Sequence, residues 1–163
     1  MHLDEHNLMR SAAHLRTSLG IGYAPEDRVI FPTLSVQENL ELPCEILQLS
    51  NQEIEERLAH VLDVVPQLKP MLSRSGAALS GGQGKMVALG RALMVGSAIV
   101  LLDEPFQGLA PALALQYSEA LGRLRTSRPD LSVVITESNS ALLTDIPNQI
   151  LTIERGSFVE AIH

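Results

Sequence analysis

Apolar positions follow two rhythms along this chain. In some segments they recur every three or four residues, which marks one face of a helix; in others they run unbroken, which marks a strand buried on both sides. Helical spacing predicts a short helix over 8–18 and a longer one over about 36–47, the latter opened by Ser35 and Glu38 at capping-box separation. Ser50 and Glu53 repeat that box, and Ile54, Leu58, Leu62 and Val65 form the apolar stripe of the next helix, which Pro66 ends. Ser80 and Gln83 make a third box and open a helix to about Val95. Further helices are predicted from about Pro111 to Thr126 and over 139–145. The unbroken runs are "SAIVLLDEP", "LSVVITE" and "QILTIERG", with a shorter strand in "GIGYAPE" (20–26) leading to a loop at Pro25. Strands that alternate with helices predict an α/β fold whose mostly parallel sheet is covered on two faces. Ligands of such sheets sit at the carboxyl ends of strands, where Asp103 and Glu104 lie.

Composition narrows the field. A chain of 163 residues with 45% apolar content can bury one core. A net charge of −7 without a basic stripe argues against nucleic acid as partner, and 3% aromatic residues leave no stacking platform. The single cysteine, Cys44, forms no internal disulfide; it reads as a packing residue in a reducing compartment. The longest strongly apolar run, Ala98 to Leu102, falls far short of the roughly 20 residues that span a bilayer. "MHLDEHNLMR" is polar and acidic, unlike a signal peptide, so a cytoplasmic location is expected. His2, His6 and His14 have no ligand at metal spacing and read as surface, Glu53, Glu55 and Glu56 as a wet helix face, and Met86 and Met94 as core.

Two motifs carry chemistry. "LSGGQGKM" (79–86) has the look of a phosphate loop, but alignment on Gly84-Lys85 puts Leu79 at the first glycine and Met86 at the hydroxyl position; Lys69, the other lysine, precedes Pro70. No P-loop is present in these residues. "LSGGQ" reads either as a capped helix start with flexible glycines or as a turn that lets a phosphate approach unpaired N–H groups at a helix N-terminus, with Ser80 and Gln83 as added donors. In "IVLLDEP" a hydrocarbon strand ends in two carboxylates, which is costly unless they face a cavity, a cation or donors. Asp103 can hold Mg²⁺ through water there, and Glu104 can polarise a water.

Together, at this spacing, the two motifs resemble the ATP-binding cassette (ABC) ATPases. Leu79, Ser80, Gly81, Gly82 and Gln83 match the family signature, and Ile99–Glu104 with Pro105 matches the Walker B strand. "YAPEDRVIFPTLSVQENL" resembles the Q-loop and the segment that receives the membrane subunit; "FQGLAP" (106–111) sits at the D-loop. The resemblance covers about 20–160, and "IFP", "LSV", "ENL" and "GLAP" are most similar to importer cassettes of the branched-chain amino acid type.

That resemblance implies an incomplete P-loop NTPase fold with a helical signature subdomain at about 30–95, and 20–29 with 96–163 as the rest of the α/β core. It implies ATP and Mg²⁺ as cofactors, Asp103 and Glu26 near the metal, Glu104 and Ser138 in catalysis, and the signature, Glu26, Gly108, Leu109 and Ala110 against nucleotide. It implies a second cassette subunit and a transmembrane permease as partners, and a place on the inner face of the membrane. The chain departs from the usual pattern at Glu26 (glutamine), Ser138 (the switch histidine, here flanked by Glu137 and Asn139) and Ala110 (the D-loop aspartate). The P-loop strand and helix that precede the Q-loop in the family need roughly 30 residues, and 20 precede Ile21. A cassette without that section is expected to hydrolyse ATP poorly alone, to leave sheet surface bare and to self-associate through it. Two other readings are a non-catalytic partner that completes another subunit's ATP site, and a cassette of a soluble machine.

Overall fold

The computed structural model describes residues 2–3, 5–139, 143 and 146–159. A short antiparallel pair, β1 (His2–Leu3) and β2 (His6–Asn7), comes first. Two 3-10 turns, Ala13–Leu15 and Thr17–Leu19, stand where the helix over 8–18 was expected. Neither turn buries a residue, so no apolar stripe offsets the cost of nucleating a helix in so short a segment.

The body then runs β3 (Ile21–Ala24), α1 (Val36–Ile46), α2 (Asn51–Val64), α3 (Gly81–Val95), β4 (Ile99–Asp103), α4 (Pro111–Ser127) and β5 (Ser132–Thr136). All three predicted capping boxes form, each with the serine side chain accepting the N–H of the third helical residue and that residue's side chain accepting the serine N–H. The stripe of α2 is Ile54, Leu58, Val61 and Val64; Leu62 is only half-buried. Val65 is buried just past the helix end, and Pro66 begins a 3-10 turn.

β3, β4 and β5 form one parallel sheet in that order, with Ala24 beside Leu102 and Asp103 beside Thr136. "QILTIERG" does not join it. Its strand β6 (Thr152–Glu154) pairs antiparallel with β7 (Ser157–Val159), and all six residues are exposed. The two turn residues, Arg155 and Gly156, both have positive φ, which sets the tight hairpin turn that sequence periodicity does not register. The helix predicted over 139–145 lies largely outside the described residues.

Coverage of the sheet also differs from expectation. Gly22, Ala24, Val100 and Leu102 alternate onto the face packed by helices and are buried. The opposite face carries Tyr23 and Val134, 53% and 47% exposed. Among the described residues one face is packed and the other is open, because no helix lies on it.

One hydrophobic cluster joins α1, α2, α3, α4 and the inner face of the sheet. α3 is its centre: every residue from Gly84 to Gly90 is buried, and a side chain such as Leu89 contributes about 1.5–3 kcal/mol by that burial. Cys44 packs fully buried against α3, its thiol donating to the Met94 carbonyl at 3.5 Å, and burial raises its pKa. α3 reaches the sheet through a close approach. A Cβ on Gly22 would lie 2.1 Å from the Ala92 carbonyl oxygen, and one on Gly96 would lie 2.3 Å from Val100 Cγ2.

Gly22→Ala must therefore push β3 off α3, at a cost of about 1–3 kcal/mol or more. Gly122→Ala on α4, where a Cβ meets nothing within 4 Å, is expected to stabilise by about 0.5–1 kcal/mol. Urea denaturation of the two variants checks both signs.

Candidate functional site

The parallel sheet delivers three strand ends to one place. β3 ends before Pro25 and Glu26, β4 ends at Asp103 with Glu104 next, and β5 ends before Glu137 and Ser138. Asp103 is held on both sides. Its Oδ1 accepts from Thr136 Oγ1 at 2.6 Å and its Oδ2 from Tyr23 Oη at 3.3 Å. Burial, then the nearby Asp103 carboxylate, raises the pKa of Tyr23, so the phenol remains a donor at neutral pH.

Glu104 begins the loop to α4 in a left-handed backbone, φ +44°. Its N–H donates to the Thr136 carbonyl at 3.0 Å, and its Oε2 accepts from Ser138 Oγ at 3.3 Å. Its carbonyl accepts from Lys85 Nζ. Glu137 Oε1 accepts the Phe106 N–H at 2.8 Å. Burial raises the Glu137 pKa and the Glu104 carboxyl adds to the rise, while the Phe106 N–H and Lys85 oppose it. Phe106 itself is buried edge-on against Tyr117, ring centroids 5.3 Å apart, which fixes the loop that carries Gly108, Leu109 and Ala110. Gly108 has φ +69°, and Gly108 and Ala110 are exposed.

The signature turn lies at the other end of the same helix system. Ser80 is the N-cap of α3, and Ser80 and Gly81 are exposed. Ser80 Oγ accepts the Gln83 N–H at 3.3 Å, and Gln83 Oε1 accepts the Ser80 N–H at 3.0 Å. Both polar side chains thus cap the helix, and the glycine N–H groups of the first turn are left without intrahelical partners. The glycines meet two loops. A Cβ on Gly81 would lie 2.8 Å from Arg28 Nη1, and one on Gly82 would lie 2.4 Å from Leu113 Cδ1 and 3.2 Å from Leu109 Cδ2. The signature turn is therefore packed between the loop after β3 and the start of α4 with the loop leading into it.

The loop after β3 is itself pinned. Arg28 and Val29 have φ of +67° and +44°, uncommon for non-glycine and costly for a β-branched residue. Arg91 of α3 holds them, donating from Nη1 to the Val29 carbonyl at 2.7 Å and from Nη2 to the Arg28 carbonyl at 3.0 Å, with its guanidinium 5.8 Å from the Phe31 ring centroid. Buried Asn39 fixes the next turn: its Oδ1 accepts the Phe31 N–H at 2.8 Å, and its Nδ2 donates to the carbonyls of Phe31 and Ser35 at 3.0 and 2.8 Å.

Glu26 is exposed at the end of β3 and shares the surroundings of Lys85 with Glu104 and Glu137. No group of three or more His, Cys, Asp or Glu side chains converges as a metal cage among the described residues. A single carboxylate such as Asp103 nonetheless suits Mg²⁺, which keeps several waters and binds through one or two carboxylates and phosphate oxygens. A groove of about 170 Å³ between α4 and β5, lined by Leu121, Leu124, Val133 and Ile135, holds none of the motif residues. Reading the sequence singled out Asp103, Glu104, Ser138 and the signature. It passed over Tyr23, Thr136, Arg91 and Asn39, and treated Lys85 only as a failed P-loop lysine. For Lys85 the signal was available: it is a lone charge in a helix face that is otherwise apolar from Met86 to Leu89.

Comparison with known proteins agrees with this architecture. The family model described as ABC transporter matches residues 1–107. The probable branched-chain amino acid transport ATP-binding protein LivF of Archaeoglobus fulgidus is 30% identical over 143 residues, 88% of this chain and 59% of the relative. The high-affinity branched-chain amino acid transport ATP-binding protein BraG of Pseudomonas aeruginosa is 32% identical over 149 residues, 91% and 61% of the two chains. The lipopolysaccharide export system ATP-binding protein LptB of Escherichia coli K12 is 33% identical over 138 residues, 84% and 56%. The fold matches the ADP conformation of MJ1267, an ATP-binding cassette of an ABC transporter, with a TM-score of 0.75 and 21% identity over 97% of this chain and 66% of that one. The chain thus spans about three fifths of the length of these curated relatives.

Arg91→Met frees two carbonyls of a strained loop, at a local cost of about 1.5–3 kcal/mol per charge-assisted bond. Trypsin cleavage after Arg28 is expected to quicken by roughly tenfold or more, with partial recovery in Arg91→Lys. Timed proteolysis with fragment masses reads this; an unchanged rate after Arg28 counts against the clamp.

Proposed function

The chain belongs to the ABC transporter family, and from that premise we propose that it serves as the signature-bearing part of a transporter's ATP-binding subunit, with amino acid import as its task. One observation carries the proposal: Asp103, Glu104 and Ser138 meet at adjacent strand ends, and the exposed signature turn begins the helix that packs on β3 and β4 of the same sheet. Strand-end carboxylates are where an α/β sheet does its chemistry, and an exposed glycine-rich helix start suits a phosphate.

In this reading Asp103, preset by Tyr23 and Thr136, holds Mg²⁺ with Glu26 near it, and the ion neutralises phosphate charge. Glu104 orients water, and Ser138 holds its carboxylate where the family's switch residue stands. Ser80, Gly81, Gly82 and Gln83, with Gly108, Leu109 and Ala110 beside them, face ATP seated on a second cassette subunit. The segment from Phe31 to Leu47, rigidified by Asn39 and Arg91, meets a transmembrane permease. No helix among the described residues is long and apolar enough to cross a membrane, so membrane association on the cytoplasmic side runs through that partner.

A second reading has its own support. The residues contain no Gly-Lys-Ser/Thr loop, and Lys85 is already committed to the Glu104 carbonyl. Positioning and charge stabilisation dominate phosphoryl transfer, so these residues alone lack the groups that seat a triphosphate. The chain then completes a partner's ATP site through its signature without turning over ATP itself.

Steady-state phosphate release tests both. The chain alone is expected to show no turnover above background, and Glu104→Gln no further change. Mixed with a P-loop-bearing cassette subunit, Gly81→Glu is expected to lower turnover by about 10²-fold, the usual effect of spoiling a transition-state donor set. Turnover by the isolated chain that Glu104→Gln abolishes would refute the second reading; indifference of the mixture to Gly81→Glu would refute both.

A further inference from the structure

Lys85 is the only charged side chain buried among the described residues, at 9% exposure. A buried ammonium is retained only with compensation. Here Nζ donates to the Glu104 carbonyl; burial lowers its pKa, with the nearby Arg28 adding to the fall, while the carboxylates of Glu137, Glu26 and Glu104 oppose it and favour the charged form. The space it shares with Pro25, Asp103 and Tyr117 is about 10 Å³, room for one water at most.

Position matters as much as charge. Lys85 stands about one and a half turns after Ser80 on a continuous helix. Its acceptor belongs to Glu104, a non-glycine residue in left-handed backbone, whose carbonyl also accepts the Gln107 N–H at 3.2 Å. Left-handed geometry needs such over-determination to persist.

We propose that Lys85 is a positioning residue: it locks the left-handed turn at Glu104 onto the signature helix, so that the carboxylate's aim follows the placement of the signature turn. It thereby ties the two nucleotide-facing elements of one chain to each other. The positioning claim stands on geometry alone; its meaning for turnover rests on the transporter reading.

The full chain tests it by two routes. In ¹⁵N-labelled protein, Lys85→Met shifts the amide resonances of Glu104, Phe106, Gln107 and Ser138 more than those of α2, and Lys85→Arg returns them towards the parent. In thermal unfolding, Lys85→Met lowers Tm in the parent and in Glu104→Gln, which keeps the strained backbone without the charge. In Glu104→Gly, where left-handed φ costs nothing, the loss is smaller by about 2–8 °C, the left-handed penalty converted through the unfolding entropy of a chain this size. If Lys85→Met does not fold, Lys85→Gln takes its place in both routes. Equal losses in all three backgrounds, or unmoved Glu104 and Gln107 resonances, overturn the proposal. A full cycle with no turnover in the mixed ATPase assay refutes the transporter reading and leaves Lys85 in its role.

Discussion

Everything near the strand ends depends on how closely α3 lies on β3. Gly22 meets the Ala92 carbonyl with no side chain between them. Any β-carbon at that point would lift the helix, and interiors packed to crystal density do not absorb such a shift locally. Lys85 could then no longer reach the Glu104 carbonyl, and Arg91 could no longer reach those of Arg28 and Val29. The backbone-to-backbone contact thus sets the register in which two cationic side chains of one helix clamp two left-handed turns. A packing constraint in the core becomes a geometric constraint on surface loops.

The electrostatics of the site follow from that register. Three carboxylates, Glu26, Glu104 and Glu137, act on one buried ammonium, and Asp103 lines the same small space. Hydroxyls of Tyr23, Thr136 and Ser138 and the Phe106 N–H supply the remaining donors. Such a concentration of negative charge with few fixed cations costs stability by itself. It is the arrangement expected where an outside cation completes the balance, and it is why the site reads as machinery rather than as packing.

The sequence was most legible where local chemistry acts alone. Ser35–Glu38, Ser50–Glu53 and Ser80–Gln83 each announce a helix start, and each forms, because a capping box involves four consecutive residues and little else. The run Ile99–Asp103 announces a strand, and it forms, although only Val100 and Leu102 are buried where burial on both sides was expected. Legibility fell where the outcome depended on distant neighbours. The pattern over 8–18 has apolar residues at helical spacing, but nothing buries them as a stripe, and the segment turns tightly instead. "QILTIERG" has strand propensity, yet propensity does not choose a partner, and the nearer strand Ser157–Val159 takes it. Coverage of the sheet on both faces is a property of whole α/β domains and could not be read from three strands. Tyr23 and Thr136 were invisible as site residues because only the parallel register sets them flanking Asp103. Arg91 was invisible because its acceptors are backbone carbonyls, which leave no trace in residue type; Lys85 stood out as a lone charge beside an apolar run, but its acceptor, also a carbonyl, did not.

The signature turn shows why capping and phosphate recognition need not compete. Ser80 and Gln83 spend their side-chain acceptors on each other's N–H groups. That exchange satisfies two donors and holds the first turn in helical geometry, but it leaves the glycine N–H groups of that turn without intrahelical partners. The same hydrogen bonds therefore fix the donors that a phosphate would need and prevent the turn from fraying. Gly81 and Gly82 pack closely, since a Cβ on one would have to displace the Arg28 guanidinium and on the other the Leu113 and Leu109 side chains. A turn preorganised in this way loses little freedom on meeting an anion, so more of the contact energy remains as affinity. Because α3 continues unbroken from that turn to Lys85, the signature turn and the side chain that holds Glu104 belong to one continuous helix.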